Sequence, residues 1–249
     1  MKSSFGIALA VAVPTMLIAS VVNADTRTYT SVIDALNNSG VSGSATIVVD
    51  TDAKTLDVTV NALGLLPNQV HAQHIHGLLN NGFATCPTMA QDANKDGFLS
   101  VLEGAVNYGP IKLNLTSPPT PFGPSPDPVL FASYAGTPDL TKFPTAPDGT
   151  INYHELITFN LNNSADAAAF AQLQDIDNQH IVLHGAFAPE SVDTVGGDPT
   201  NIIYDGLLPV ACGEFVLQDN GAGVPEPSTL GLLGFGAAGL LMRRRVKVV

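Results

Sequence analysis

Histidines crowd into two short segments of this chain, and their spacing suits metal chemistry. In His71-Ala72-Gln73-His74-Ile75-His76-Gly77, His74 and His76 are two residues apart. On a strand both imidazoles then leave one face while Ile75 points to the other, so the pair can share an ion. Downstream, His180-Ile181-Val182-Leu183-His184-Gly185 offers His184 at the end of a second strand, with His180 on the same face. The spacing admits two readings: a metal centre, or ordinary polar residues on a sheet.

A second pattern needs oxygen chemistry. Asp92-Ala93-Asn94-Lys95-Asp96-Gly97-Phe98-Leu99-Ser100-Val101-Leu102-Glu103 fits a twelve-residue calcium loop at positions 1, 3, 5, 6, 8, 9 and 12. Oxygen ligands would come from Asp92, Asn94, Asp96, the Phe98 carbonyl, Ser100 through a water, and a bidentate Glu103. Gly97 would supply the sharp turn and Leu99 an inward anchor. The bland alternative is a polar Asp-Gly turn. Pro87 in the entering segment leaves no room for a standard helix, so an isolated loop is expected rather than a paired regulator. Asp148-Gly149-Thr150 repeats only the end of the pattern, because Pro144 and Ala146 stand where ligands are needed, and reads as a turn entering a strand.

The elements that must hold these groups read as β. Gly43–Asp50 and Lys54–Ala62 are β-branched runs around Thr51-Asp52-Ala53, with Leu56, Val58 and Val60 alternating against Asp57 and Thr59, which predicts a hairpin with one buried face. Further strands are expected over 71–76, 111–115, 151–160, 179–183 and 212–217. One short helix is expected over 165–173 behind Ser164 as its cap. Six prolines within 117–128 predict a surface loop.

Charge narrows the partners. The 249 residues carry 10 Lys+Arg against 22 Asp+Glu, a net charge of −12, which disfavours nucleic acid and anionic membrane surfaces. Two cysteines suffice for one bridge if the compartment is oxidising. Met1-Lys2, the apolar stretch to Ala19 and Val22-Asn23-Ala24 have the order of a secretory signal peptide over 1–24. Residues 25–223 then hold 5 basic and 21 acidic side chains, a net of −16. No nucleophile elbow, phosphate loop or nucleotide fingerprint is present in the sequence.

Two resemblances follow. Val224-Pro225-Glu226-Pro227, the apolar run from Leu230 to Met242 and Arg243-Arg244-Arg245 look like the PEP-CTERM sorting signal over 224–249, behind a short linker at 219–223. The resemblance implies transient anchoring by a C-terminal membrane segment, an exosortase-type processing enzyme as partner, and delivery to the cell surface or matrix of a Gram-negative bacterium. Matrix components or extracellular polysaccharide become candidate contacts.

Over roughly residues 40–217, Gly64-Leu65, His71-x-x-His74-x-His76, Cys86, Ile181-Val182-Leu183-His184 and Ala211-Cys212-Gly213 resemble the copper/zinc superoxide dismutase family. The His-Ile-His-Gly turn is also similar to CHRD-type domains. The resemblance implies an all-β Greek-key β-sandwich or barrel over 25–218, into which the calcium loop and one short helix are set. It further implies copper at His74, His76 and His184, a structural role for His71, and a disulfide between Cys86 and Cys212. The family's bridging histidine falls on Asp92, its zinc ligands are absent, and Leu207-Leu208-Pro209-Val210 occupies the place of its guiding arginine. Zinc in the family manner is therefore not expected. The expectation is a non-catalytic exported domain that binds calcium and can also take copper; the alternative is a divergent copper-dependent superoxide dismutase or oxidoreductase.

Overall fold

A computed structural model describes residues 26–78, 82–117, 140–173 and 176–218. The leader at 1–24, the linker, the sorting segment with its apolar run, and all but Ser117 of the proline-rich stretch lie outside the described residues.

Among the described residues, nine antiparallel strands form one curled sheet: β1 (Thr26–Ala35), β2 (Ser42–Asp50), β3 (Thr55–Leu63), β4 (Gln73–Gly77), β5 (Ile111–Asn114), β6 (Thr150–Thr158), β7 (Gln179–Pro189), β8 (Ile202–Glu214) and β9 (Val216–Gln218). The neighbour order is β5-β4-β7-β8-β1-β2-β3-β6, with β9 beside β1. The connections β3 to β4, β5 to β6 and β6 to β7 each cross from one half of the sheet to the other. The all-β barrel-like class expected from the sequence is thus present.

The curl gives the sheet one shared interior. Leu56, Val58 and Val60 are fully buried there, as the alternation in β3 requires, and they meet Ile75, Leu113, Ile181 and Leu183 from the other half. The β2–β3 turn lies where predicted: Asp50 Oδ1 accepts from the backbone N–H groups of Asp52 and Ala53 at 2.9 and 2.7 Å. Strand β1, which sequence reading passed over, buries Tyr29 and Ile33 and joins the halves by pairing with both β2 and β8.

The described chain has two short helices, α1 (Val101–Tyr108) and α2 (Ser164–Gln172), where one was expected. The expected helix is α2, but Ser164 lies inside it. Asn163 caps it instead, its Oδ1 accepting from Asp166 N at 3.4 Å. Helix α1 was missed because its start signal, Ser100 with Glu103 three residues on, is also the end of the calcium-loop pattern. Both halves of that capping box form: the Ser100 hydroxyl accepts from Glu103 N, and the Glu103 carboxylate from Ser100 N.

Residues 82–110, which include α1, cover the outer face of β4, β7 and β8. Leu99, Tyr108, Val182 and Cys212 form a second buried cluster there. This outer layer gives the histidine face a lid.

Candidate metal centre

Strand β4 sends Ile75 into the interior and His74 and His76 to the outer face, as the two-residue period demands. On β7, Ile181 and Leu183 likewise face the interior. His74 stands opposite Val182 and His76 opposite His180 in the register. The register shifts on both sides of His184, between Leu183 and His184 and between His184 and Ala186. Pro209, which has no N–H, faces His184 across this irregularity. The His184 carbonyl lies instead 2.9 Å from His71 Nδ1, and His71 Nε2 lies 3.0 Å from the Leu66 carbonyl. His71 is buried, so its ring ties the bulge in β7 to the connection between β3 and β4.

Gly185 makes the bulge sterically possible. Its φ is 111°, and an added Cβ would lie 2.1 Å from Tyr204 Oη and 3.0 Å from His71 Nδ1. Gly185→Ala is expected to destabilise the chain by roughly 2–3 kcal/mol through backbone strain and collision. The double variant with Tyr204→Phe should recover part of that loss in urea unfolding. Equal midpoints for the wild type and Gly185→Ala would contradict the assignment.

The result is a cluster. Ligand atoms of His74, His76 and His184 all lie within 4.8 Å of one another, although His76 and His184 are far apart in sequence. The residues are 3, 0 and 4% exposed. The Phe143 ring meets His74 edge-on at 5.1 Å and the Tyr108 ring meets His76 at 4.7 Å, so an apolar lid closes the site.

Backbone carbonyls set the tautomers. His76 Nδ1 donates to Gly109 O at 2.8 Å and His184 Nδ1 donates to Leu207 O at 2.5 Å, because a carbonyl can only accept. The lone pair of each ring therefore sits on Nε2. His184 Nε2 and both ring nitrogens of His74 are buried without a hydrogen-bond partner. A buried nitrogen lone pair without a donor is costly unless something electropositive meets it.

Burial holds all three rings neutral. It pushes His74 well below the usual histidine range, with His184 and His76 adding to the effect. His76 is lowered to about 3, mainly by burial and then by His184, against a smaller opposing effect of the Gly109 carbonyl. His184 is lowered to about 4, again by burial, partly offset by the Leu207 carbonyl and Asp205. Neutral imidazoles are the protonation state that metal ligation requires.

The calcium-type loop lies in the same outer layer. A three-residue 3-10 turn, Met89–Gln91, leads in and α1 leads out. Lys95 and Gly97 take positive φ, 58° and 89°. Asp92 Oδ2 accepts from Gly97 N at 3.0 Å, Asn94 Oδ1 from Asp96 N at 2.9 Å, and Asp96 Oδ1 from Phe98 N at 2.9 Å. Glu103 reaches back, Oε1 accepting from Ala93 N at 2.9 Å and Oε2 from the Ser100 hydroxyl at 2.8 Å. The carboxylates of Asp92, Asp96 and Glu103 are thus engaged with the loop itself, and among the described residues they do not converge as the histidines do.

Leu99 is fully buried, and the Asn37 side chain grips both sides of its peptide. Leu99 N donates to Asn37 Oδ1 at 2.6 Å, and Asn37 Nδ2 donates to Leu99 O at 3.0 Å and Pro209 O at 2.8 Å. Asn37→Ala leaves these part-buried groups without partners, so a loss of roughly 2–3 kcal/mol is expected. Chemical denaturation of the variant is the check; a change below about 0.5 kcal/mol, the size of an ordinary surface substitution, would show that the clasp is incidental.

Other sequence-derived sites fall as follows. Cys86 and Cys212 form a disulfide, Cα atoms 5.8 Å apart. Asp148 Oδ1 accepts from Thr150 N at 3.1 Å, the turn expected before β6. His154 is exposed and meets Asp57 Oδ1 at 2.8 Å, away from the cluster. Tyr108, Phe143, Asn37 and the Gly109 and Leu207 carbonyls escaped sequence reading. A buried aromatic lid looks like any core aromatic in sequence, and a carbonyl leaves no mark of residue type.

Residues 223–245 match the PEP-CTERM protein-sorting motif. That motif is the recognition signal for exosortase processing of proteins exported through the membrane in Gram-negative bacteria and anchored at the cell surface. No curated protein matches the chain.

Proposed function

We propose that this chain is a non-catalytic surface or matrix protein whose β domain, similar to superoxide dismutase and CHRD domains, is a metal-bearing module. His74, His76 and His184 would hold copper, and Asp92, Asn94, Asp96, Phe98, Ser100 and Glu103 would hold calcium. The observation that carries the reading is the convergence of three neutral, buried imidazoles, two of which are held by backbone carbonyls in the tautomer with its lone pair on Nε2. Three imidazoles are a reasonable donor set for copper, whereas the loop's hard oxygens suit calcium, which weak extracellular sites can still bind.

Closure of the histidine site argues against turnover. Rings that are 0–4% exposed beneath Phe143 and Tyr108 offer an anionic substrate little approach, and a net charge of −16 over residues 25–223 repels it. Copper would be retained for structure. Exosortase is the processing partner, and the C-terminal segment the membrane attachment before cleavage.

Metal analysis of the exported protein, combined with a superoxide assay after copper loading, tests the reading. About one copper per chain is expected, lost in His76→Ala, together with no dismutation above free copper. Strong dismutation abolished by His76→Ala would replace the proposal with the copper-dismutase alternative. For calcium, a chelator should lower the thermal midpoint of the wild type and leave Glu103→Gln unmoved.

A further inference from the structure

The second cluster of ligand atoms lies outside that centre. Cys86 Sγ, a His180 ring nitrogen and a Glu214 carboxylate oxygen all lie within 4.8 Å of one another. His180 and Glu214 are direct partners in the β7–β8 register, so they leave the sheet side by side, with His180 Nε2 3.6 Å from Glu214 Oε1. Cys212, two residues before Glu214, holds Cys86 above them through the disulfide.

His180 supplies an independent sign of a ligand. It is 2% exposed; its Nδ1 is buried without a hydrogen-bond partner, and its Nε2 has only the Glu214 carboxylate, beyond hydrogen-bond distance at 3.6 Å. Glu214 is 59% exposed on its side chain. A groove of about 630 Å³, lined among others by Cys86, Pro87, Thr88, Cys212, Gly213 and Glu214, gives solvent access to the carboxylate side. While the disulfide is closed, the cluster offers an imidazole and a carboxylate, too few donors for a firm site.

The geometry points to a redox-gated site for a thiophilic divalent cation such as Zn2+, formed by Cys86, His180 and Glu214 when the bridge is open. A thiolate, an imidazole and a carboxylate with a solvent-filled fourth position make a tetrahedral donor set suited to that ion. A dithiol passes two electrons and two protons to the bridge and becomes a cyclic disulfide, leaving Cys86 and Cys212 as thiols. Cys86 then releases its proton to solvent as the cation binds its thiolate. On closure, a disulfide-bearing oxidant takes up two electrons and two protons, one from the Cys212 thiol and one from solvent, and becomes two thiols while Cys86 and Cys212 rejoin and the ion, without its sulfur ligand, leaves. Before the bridge forms, an ion here would pin the 82–110 layer to β7 and β8. The site shares no residue with the histidine centre or the calcium loop.

Co2+ titration of the exported chain tests this, because only a thiolate gives intense near-ultraviolet charge-transfer absorption and the chain has only two cysteines. The protein reduced with a dithiol and then freed of it, since the reductant's own thiolates bind Co2+, should show that absorption at one ion per chain, and the oxidised protein should not. Cys212→Ser, with Cys86 permanently free, should show it without reductant, and Cys86→Ser should lack it in either state. His180→Ala and Glu214→Gln in the reduced state should each weaken binding at least tenfold, and Zn2+ should displace the cobalt. The proposal is overturned if the reduced wild type gives no charge-transfer band, or if the band is unchanged in both His180→Ala and Glu214→Gln. Reducing the wild type keeps the test decisive should Cys212→Ser fail to fold.

Discussion

Metal-free protein is expected to unfold on mild acidification, with stability falling steeply below about pH 6.5. Burial lowers His74, His76, His184 and His180 from their ordinary value, so the folded state leaves them neutral where the unfolded chain takes up protons. Stability therefore rises with pH between the folded and unfolded values and is lost as pH falls. Each histidine contributes a slope of about 1.4 kcal/mol per pH unit in that window. Asp193 works in the opposite direction. Burial, with Asp205 beside it, raises its carboxyl to about 7, so the folded state holds a proton that the unfolded chain releases and stability is gained on acidification towards pH 4. Three histidines held neutral in the centre against one carboxyl leave a net slope of roughly 3 kcal/mol per pH unit once the window is fully entered, with His180 adding in the same direction. Over about two pH units that loss is about 6 kcal/mol, enough to unfold a domain at the lower end of the usual range of about 5–15 kcal/mol. Urea midpoints measured between pH 8 and 4.5 are the check. A flat profile would mean that the histidines are wet or already charged in the folded state. Copper bound at His74, His76 and His184 should raise stability, and because the folded rings are already neutral the gain should persist on acidification until the pH nears their folded values, about 4 for His184 and about 3 for His76.

Opening the disulfide should lower the thermal midpoint by roughly 10–20 °C at neutral pH with chelator present. The bridge joins residues 126 apart, and closing so long a loop removes conformational entropy from the unfolded chain worth about 5 kcal/mol. For a domain of this size each kcal/mol moves the midpoint by about 2–4 °C. The structure adds a local reason. Cys212 is buried in the cluster that also holds Leu99, Tyr108 and Val182, with Cys86 packed against it. Opening the bridge therefore loosens the layer that carries both the calcium-type loop and the Tyr108 cover over His76. Scanning calorimetry with and without reductant measures the shift, and the paired Cys86→Ser, Cys212→Ser variant should match the reduced wild type. A shift of only 1–2 °C would mean that packing alone holds the layer in place.

Local patterns in the chain specified a large share of the fold. The β2–β3 hairpin was readable because Leu56, Val58 and Val60 alternate with polar residues and a short turn sequence divides the runs. The outward pairing of His74 and His76 followed from the same period, and the Asp148 turn from its Asp-Gly-Thr sequence. Strand lengths were less legible: β7 runs on to Pro189 and β8 begins at Ile202, since their outer parts pair with each other where little is buried to impose a pattern. Strand β1 was hidden by its threonines and serine, and α1 by the overlap of a capping box with a cation loop.

By itself the sequence determined what depends on near neighbours: the face on which each histidine emerges, the donor types in the loop, the presence of two cysteines, and the C-terminal sorting motif. Tertiary structure decided what depends on chain segments far apart. The β4–β7 register brings His184 to His74 and His76, and Gly109 and Leu207 turn their carbonyls to fix two tautomers. Phe143 and Tyr108 close the lid. The physical reason is range. Side-chain direction along a strand repeats every two residues and is written locally, whereas burial, and with it the protonation state of an imidazole, exists only once distant strands exclude water together.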